Sequence, residues 1–381
     1  MDFTPTEEQI SLRKMVREFA VKELEPGAGE RDQREDFPWE AFKKLGQVGL
    51  TGLGIAPELD GSGGGLTQTA IAIEELARID PAMSLILLAS LSLTAVAIEA
   101  HGTDAQKRKY VPPMARGEAI GSFCLTEPNA GSDAGSLVTS AVRKGDKFVL
   151  NGSKIFITNG DVADTFIVFA TQDREKRTKG ISAFLVEKGA KGLSAKKMNG
   201  KMGMRASTTA EVFFDNVEVP AANALGPEDK GFATAMQILD TSRPIIGAQA
   251  VGIAQGALDL AVKHTKQRKA FGQAIADFQG VQWMLAEMAT KVDAARLLVM
   301  RAADLRDRGL PFGKEASMAK LFASETAMEV ASDALQLHGG YGYLKESPIE
   351  RFFRDAKVTE IYEGTSQVQK LVIARALLRQ M

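Results

Sequence analysis

"KGDKFVLNGSKIFIT", residues 144–158, separates two kinds of sequence. Two turn dipeptides, Gly145-Asp146 and Asn151-Gly152, flank short β-rich runs, and such pairs favour two-residue hairpins because their backbones accept positive φ. "FIVFAT" (166–171), "SAFLVEK" (182–188) and "AEVFFDNVEVP" (210–220) continue the strand pattern. On either side the apolar residues recur at helical spacing. The expected class is therefore α+β. An all-α domain spans residues 1–115, a middle antiparallel β domain 116–226, and a C-terminal helical domain 227–381.

The helical flanks carry their own punctuation. "TPTEEQISLRKMVREFAVKELEP" (4–26) reads as a helix with Thr4 as N-cap, Pro5 at the first position and Glu7 closing a capping box. Pro26-Gly27 ends it, and a shorter helix follows around Trp39, Phe42 and Leu45. Phe278, Val281, Leu285, Met288, Val292, Ala295, Val299 and Ala302 alternate by three and four, the seam of a bundle helix. "SPIE" (347–350) repeats the capping-box logic. The last helix starts just after Glu363 and is expected to turn Val368, Leu371 and Val372 inward. Residues 81–98 carry no charge and approach the length of a membrane span. Asp80 and Glu99 bracket them and four Ser/Thr interrupt them, so a buried helix is expected, with small polar residues lining a pocket and no membrane insertion. Nothing else in the chain looks comparable.

Composition narrows the partners. The 381 residues are 45% hydrophobic and 25% charged, with a formal net charge of −1. That balance offers no basic field for nucleic acid. A single cysteine, Cys124, forms no internal disulfide and points to a reducing compartment. The opening "MDFTPTEEQ" has no apolar signal region, so the expected location is the cytoplasm, or a mature matrix-type compartment.

Chemistry is reached first by elimination. The chain lacks a Walker A loop, H-E-x-x-H, C-x-x-C pairs and G-x-S-x-G. His101, His264 and His338 lie far apart in sequence without ligand spacing, and each reads as a satisfied or exposed histidine, so no metal is expected. Five polar, glycine-rich junctions remain: "CLTEPNAGSD" (124–133), "KIFITNG" (154–160), "RKAFGQ" (268–273), "LQLHGGYGY" (335–343) and "IYEGTSQVQ" (361–369). Each alone is as compatible with a turn or a helix stop as with a site. In the last, Glu363 stands beside Tyr362 and Ile361, either a solvated loop charge or a base kept dry.

In their order and spacing, the five junctions resemble the acyl-CoA dehydrogenase family over essentially the whole chain. "RDAKVTEIYEGTSQVQKLVIAR" (354–375) is the most specific segment, and the short- and medium-chain branch is the most similar. The resemblance implies a helical domain, a β domain and a C-terminal four-helix bundle holding FAD, assembled as a tetramer of paired dimers. It implies α,β-dehydrogenation of an acyl-CoA thioester. A base takes the α-proton, the β-hydrogen leaves as hydride to the flavin, and an electron-transferring flavoprotein collects the electrons. Glu363 is then the catalytic base. Burial among apolar groups raises a carboxyl from about 4.3 toward ~6–7, the useful range for a general base. Tyr362 and Ile361 are expected to supply that setting, with Gly364 letting the backbone lie close to the ligand. The Glu363 amide resembles the donor that polarises the thioester oxygen. Relatives such as isovaleryl-CoA dehydrogenase carry the base on a helix before an arginine; here "LDTSRP" (239–244) has Ser242 before Arg243, so the loop position stands.

The same resemblance assigns the remaining roles. Leu125, Thr126 and Thr158 resemble residues that bond the isoalloxazine ring, and Phe156 stands where a tryptophan commonly packs on it. Arg268, Phe271 and Gln279 resemble residues that reach a neighbouring subunit's flavin. Gln336, Gly339 and Gly340 look like the adenine-diphosphate strip, with Thr365 and Gln367 beside it. Ser132 resembles a CoA contact, Leu239, Asp240 and Arg243 resemble residues that face the CoA and acyl chain, and Tyr362 and Gly364 are expected to contact the substrate as well. Glutaryl-CoA dehydrogenases place an arginine on the N-terminal-domain helix; here Ser84 falls near that position, which implies a neutral acyl group. Two other readings remain open: an oxygen-using oxidase or monooxygenase of the same fold, and a catalytically silent helical binding protein.

Overall fold

The computed structural model describes residues 4–379; Met1–Phe3, part of the stretch read for a leader, lie outside them. The first domain is helical. Helix α1 (Glu7–Phe19) is capped by Thr6, two residues later than expected. The Thr6 hydroxyl accepts from the Gln9 amide and the Gln9 side chain accepts from Thr6 N–H, so glutamine closes the box in place of Glu7. A π turn (Ala20–Leu24) and a 3₁₀ turn (Glu25–Gly27) lead into α2 (Ala28–Arg34), a short helix the sequence patterns did not announce. Then come α3 (Trp39–Gln47), α4 (Leu66–Ala77), α5 (Pro81–Ser90), a π turn (Leu91–Ala95), α6 (Val96–His101) and α7 (Asp104–Ala115). Helix α5 is buried throughout, as its uncharged sequence requires. Asp80 caps it, held in turn by Arg31.

The middle domain is one seven-stranded sheet: β1 (Gly121–Cys124), β2 (Ser140–Lys144), β3 (Lys147–Thr158), β4 (Thr165–Thr171), β5 (Ile181–Glu187), β6 (Leu193–Lys197) and β7 (Thr209–Pro220). Most pairings are antiparallel, but β1 runs parallel to β4, and β2 touches β4 in parallel at Ser140–Thr171. A connection through Asn129 to Leu137 returns the chain to the sheet in the same sense, which hairpin signals cannot reveal. Gly145-Asp146 is the expected two-residue turn between β2 and β3. Asn151-Gly152 is not a turn. It lies inside β3 at a register shift, and a Cβ on Gly152 (φ 149°) would meet Thr139 Oγ1 at 2.6 Å. The glycine serves a bulge and a close strand crossing. A second shift between Lys154 and Ile157 leaves Phe156 at φ 58° and 63% exposed. The bulge re-aims that ring out of the sheet.

The C-terminal domain packs α8 (Gly231–Gln267), α9 (Gln279–Asp307) and α10 (Gly313–His338) on one another, with α11 (Pro348–Val358) and α12 (Ser366–Arg379) against α10. A small hairpin, β8 (Lys269–Ala270) and β9 (Gln273–Ala274), links α8 to α9. Helix α8 is also long and apolar enough to match a membrane span, contrary to expectation; like residues 81–101 it is mostly buried inside the protein. The α9 seam is buried from Met288 to Ala302, whereas Val281 and Leu285 are only half covered. Ser347 precedes α11 without a side-chain cap bond, and the Glu350 carboxylate, which would close the box, is instead held by Arg354 at 2.6 and 2.8 Å. In α12 the buried side chains are Ser366 and Gln369, while Leu371 is exposed. That inversion matters at the site.

Candidate active site

Glu363 sits in the loop between α11 and α12 with φ 50°, followed by Gly364 at φ 93°. A left-handed glutamate costs on the order of 1 kcal/mol, so surrounding bonds must impose it. Lys320 of α10 donates to the Gly364 carbonyl at 2.8 Å. Gln369 of α12 donates to the same carbonyl at 2.9 Å and to the Glu363 carbonyl at 3.2 Å. A Cβ on Gly364 would meet Gln369 Nε2 at 2.6 Å. Glycine is needed there by this contact as well as by the positive φ.

The Glu363 carboxylate is buried, and its Oε2 has no hydrogen-bond partner. Burial pushes the carboxyl up to about 7, against the opposing pull of Ser242, Lys320 and Arg243. The dry setting does not come from Ile361, which is 54% exposed and points away. It comes from Tyr362 and the walls of α8 and α10. Tyr362 donates its phenol to Gln249 Oε1, and Gln249 Nε2 donates to Ser84 Oγ at 2.9 Å. This chain ties the base's loop to α8 and to the uncharged α5, where Ser84 also donates to the Pro81 carbonyl at 2.7 Å. Ser84 is thus engaged and buried, with no arginine in its place. On α8, Arg243 is paired with Asp240 one turn earlier; Arg243 is buried, its Nε lacks a partner, and burial raises the Asp240 carboxyl. Leu239 is half-buried on the same helix.

A second group gathers on the β domain. Ile155 N–H donates to the Thr126 carbonyl at 2.9 Å, bringing Leu125 and Thr126 against the bulge that presents Phe156 and Thr158. Beneath them lies an ion pair the sequence did not flag: fully buried Lys154 binds Glu127 at 2.7 Å and the Leu125 carbonyl at 3.0 Å. Glu127 also accepts from the amides of Val138 and Thr139. A charge inside an apolar strand pattern was the available signal. Ser132 is exposed on the loop between β1 and β2.

A third group lies on the outer end of α8 and α10. Arg268, Gln336, Gly339 and Gly340 line a surface cavity of about 370 Å³, with Arg268 over the Tyr341 ring. His264 and His338, remote in sequence, stack there at 4.3 Å. Thr365 and Gln367 do not line this cavity, and Phe271, 96% exposed, and Gln279 project from the β8–β9 end.

These residues fit a dinucleotide flavin. A Cβ at Gly339 or Gly340 would meet nothing within 4 Å, so that backbone is open to phosphate beside an arginine, while Phe156 offers a bare aromatic face. A buried carboxylate whose Oε2 lacks a partner, on a loop tied through Tyr362 and Gln249 to the uncharged α5, and an open glycine backbone beside Arg268 are parts that a proton-abstracting flavoenzyme requires. Family models for the N-terminal, middle and C-terminal domains of acyl-CoA dehydrogenase match residues 6–118, 122–217 and 229–378. The chain belongs to the acyl-CoA dehydrogenase family and is an FAD-dependent oxidoreductase. It is 52% identical over 379 residues to the short-chain specific acyl-CoA dehydrogenase of Clostridium acetobutylicum, covering 100% of both. It is 51% identical to the acryloyl-CoA reductase (NADH) of Anaerotignum propionicum, covering 100% of this chain and 96% of that one. A solved chain, from a structure described as the electron transferring flavoprotein of Acidaminococcus fermentans, superposes with TM-score 0.98 at 49% identity, covering 100% of both.

Proposed function

We propose that the protein α,β-dehydrogenates neutral short- to medium-chain acyl-CoA thioesters, linear, branched or cyclic, with Glu363 as the base. The observation that carries this is the buried Glu363 Oε2, unpartnered and raised to about 7. A carboxylate in that state accepts a proton from a weakly acidic α-carbon without first leaving a hydrogen bond. Bound FAD supplies the two-electron acceptor for the β-hydrogen. Leu125, Thr126, Phe156 and Thr158 hold its ring, and Gln336, Gly339 and Gly340 its diphosphate end, while Thr365 and Gln367, outside that cavity, contact the cofactor from the Glu363 loop and the start of α12. Arg268, Phe271 and Gln279 complete a neighbouring subunit's site. Ser132, Leu239, Asp240, Arg243, Tyr362 and Gly364 contact the substrate. The exposed Phe271, Trp283 and Tyr343 side chains support assembly into a tetramer, since they are large aromatic groups left mostly uncovered by the chain itself. An electron-transferring flavoprotein as acceptor is supported by the Acidaminococcus structure's description. Cys124, free and buried, supports a reducing compartment.

A second reading runs the same site backwards, protonating an enoyl-CoA from Glu363; the 51% identical acryloyl-CoA reductase favours it. The test is anaerobic flavin bleaching by an acyl-CoA panel with wild type and Glu363→Gln. Because a positioned base contributes roughly 10²–10⁴-fold, the variant should keep FAD and lose bleaching by that factor. Bleaching at the wild-type rate removes Glu363 from the reaction. Wild type that resists every acyl-CoA, but whose pre-reduced flavin is reoxidised by an enoyl-CoA, selects the reverse reading.

A further inference from the structure

We propose that Lys320 is a positioning residue for Glu363: its ammonium, anchored on the Gly364 carbonyl, holds the left-handed loop and supplies the buried positive charge against which the carboxylate ionises. The proposal rests on Glu363 being the base. Lys320 is 0% exposed, two turns into α10. Among the described residues it makes a single hydrogen bond, to the Gly364 carbonyl at 2.8 Å, and no ion pair within 4 Å. A wholly buried ammonium without a carboxylate in contact is costly, so its position needs a reason.

The surroundings supply one. The cations and acids near the loop are Arg243 on α8, Lys320 and Glu325 on α10, Asp355 on α11, and Glu360 and Tyr362 on the loop itself. Arg243 is occupied by Asp240, and Glu325 by Lys370. Lys357 takes Glu360, and Asp355 accepts from the Met204 amide. Lys320 is left as the cation whose largest charge partner is Glu363. Burial lowers its ammonium to about 8, and Glu363 is the first influence opposing that. Gln369 shares the mechanical part by donating to both carbonyls of residues 363 and 364, but it carries no charge. The two roles are therefore separable: either donor can brace the loop, and only Lys320 can aid ionisation.

The variants are Lys320→Met, which keeps the length without charge, and Lys320→Arg, which keeps charge. Flavin content, the pH midpoint of butyryl-CoA bleaching and the carboxyl infrared band absent from Glu363→Gln are measured on each. With the charge removed, the midpoint and the band should both move up by about one pH unit, the low end for loss of a close opposite charge. Bleaching should then fall about tenfold below the midpoint, recover at high pH, and leave KM within about twofold. Lys320→Arg should return the midpoint to wild type. An unmoved infrared midpoint in Lys320→Met overturns the proposal, whatever the rates do. If Lys320→Met does not yield folded flavoprotein, Lys320→Arg decides: the wild-type midpoint supports the proposal, and a shifted one overturns it. Normal bleaching by Glu363→Gln instead defeats the base assignment, which the infrared titration does not depend on.

Discussion

Glu363→Gln should make the protein more stable, and increasingly so as pH rises. The carboxyl has an ordinary value of 4.5 and is raised to about 7 by burial. A raised acid favours the fold in its protonated form. Its contribution is full below about pH 4.5 and is lost as pH rises through 7. Linkage over those two values gives a cost of roughly 1 kcal/mol at pH 5 and roughly 3.5 kcal/mol at pH 8.5. The glutamine amide never ionises, so whatever it costs in packing is the same at both pH values. The variant's advantage should thus grow by about 2.5 kcal/mol between them. Unfolding entropy near ~2.1 cal/mol/K per residue over this chain is about 0.8 kcal/mol/K, which converts the gain to about 3 °C in Tm. Paired calorimetric scans of wild type and variant, both saturated with FAD, read the difference directly. A Tm difference that stays constant from pH 5 to pH 8.5 would refute the buried, raised carboxyl on which the assignment as base depends.

Three more outcomes follow from the other parts of the site. Arg268→Ala should purify with less FAD and lose it further on dilution, because a group completing a neighbour's site links cofactor occupancy to association; a fully flavinated monomer by light scattering contradicts this. Glutaryl-CoA should bleach the flavin poorly beside butyryl- or hexanoyl-CoA in matched anaerobic stopped-flow runs. Its distal carboxylate meets an uncharged α5 and an engaged Ser84, a loss on the order of 3–5 kcal/mol or two to four decades in affinity; comparable rates would show the pocket is misread. Lys154→Met strands the buried Glu127 carboxylate, so Tm should fall by about 4–6 °C with weaker flavin retention, and an unchanged Tm speaks against a charged pair there.

How much of this was written locally varies by element. The alternation of helical and strand periodicity determined the α–β–α order, and the uncharged run at residues 81–98 determined its own burial, because apolar side chains must leave water wherever the chain puts them. The Gly145-Asp146 turn was equally local: two residues accept positive φ, and the strands meet. The "YEGT" stretch marked Glu363 as a question, and the resemblance to the family pointed to it as the base. Asn151-Gly152 carried the same turn signal and became a bulge, since Thr139 approaches it from the segment just before β2 and no immediate neighbour in sequence encodes that. The cap on α1 was local as well, a Thr6–Gln9 box two residues past the Thr4–Glu7 one expected, and Glu350 pairs with Arg354 one turn on in its own helix instead of closing a box with Ser347. Most of all, tertiary structure decided what makes Glu363 basic. Ile361, two residues before it in sequence, is 54% exposed. The dry walls come from α8 and α10, and the groups that oppose the rise, Ser242, Arg243 and Lys320, lie 43 to 121 residues away in the chain, because desolvation depends on what surrounds a group in space rather than on what flanks it.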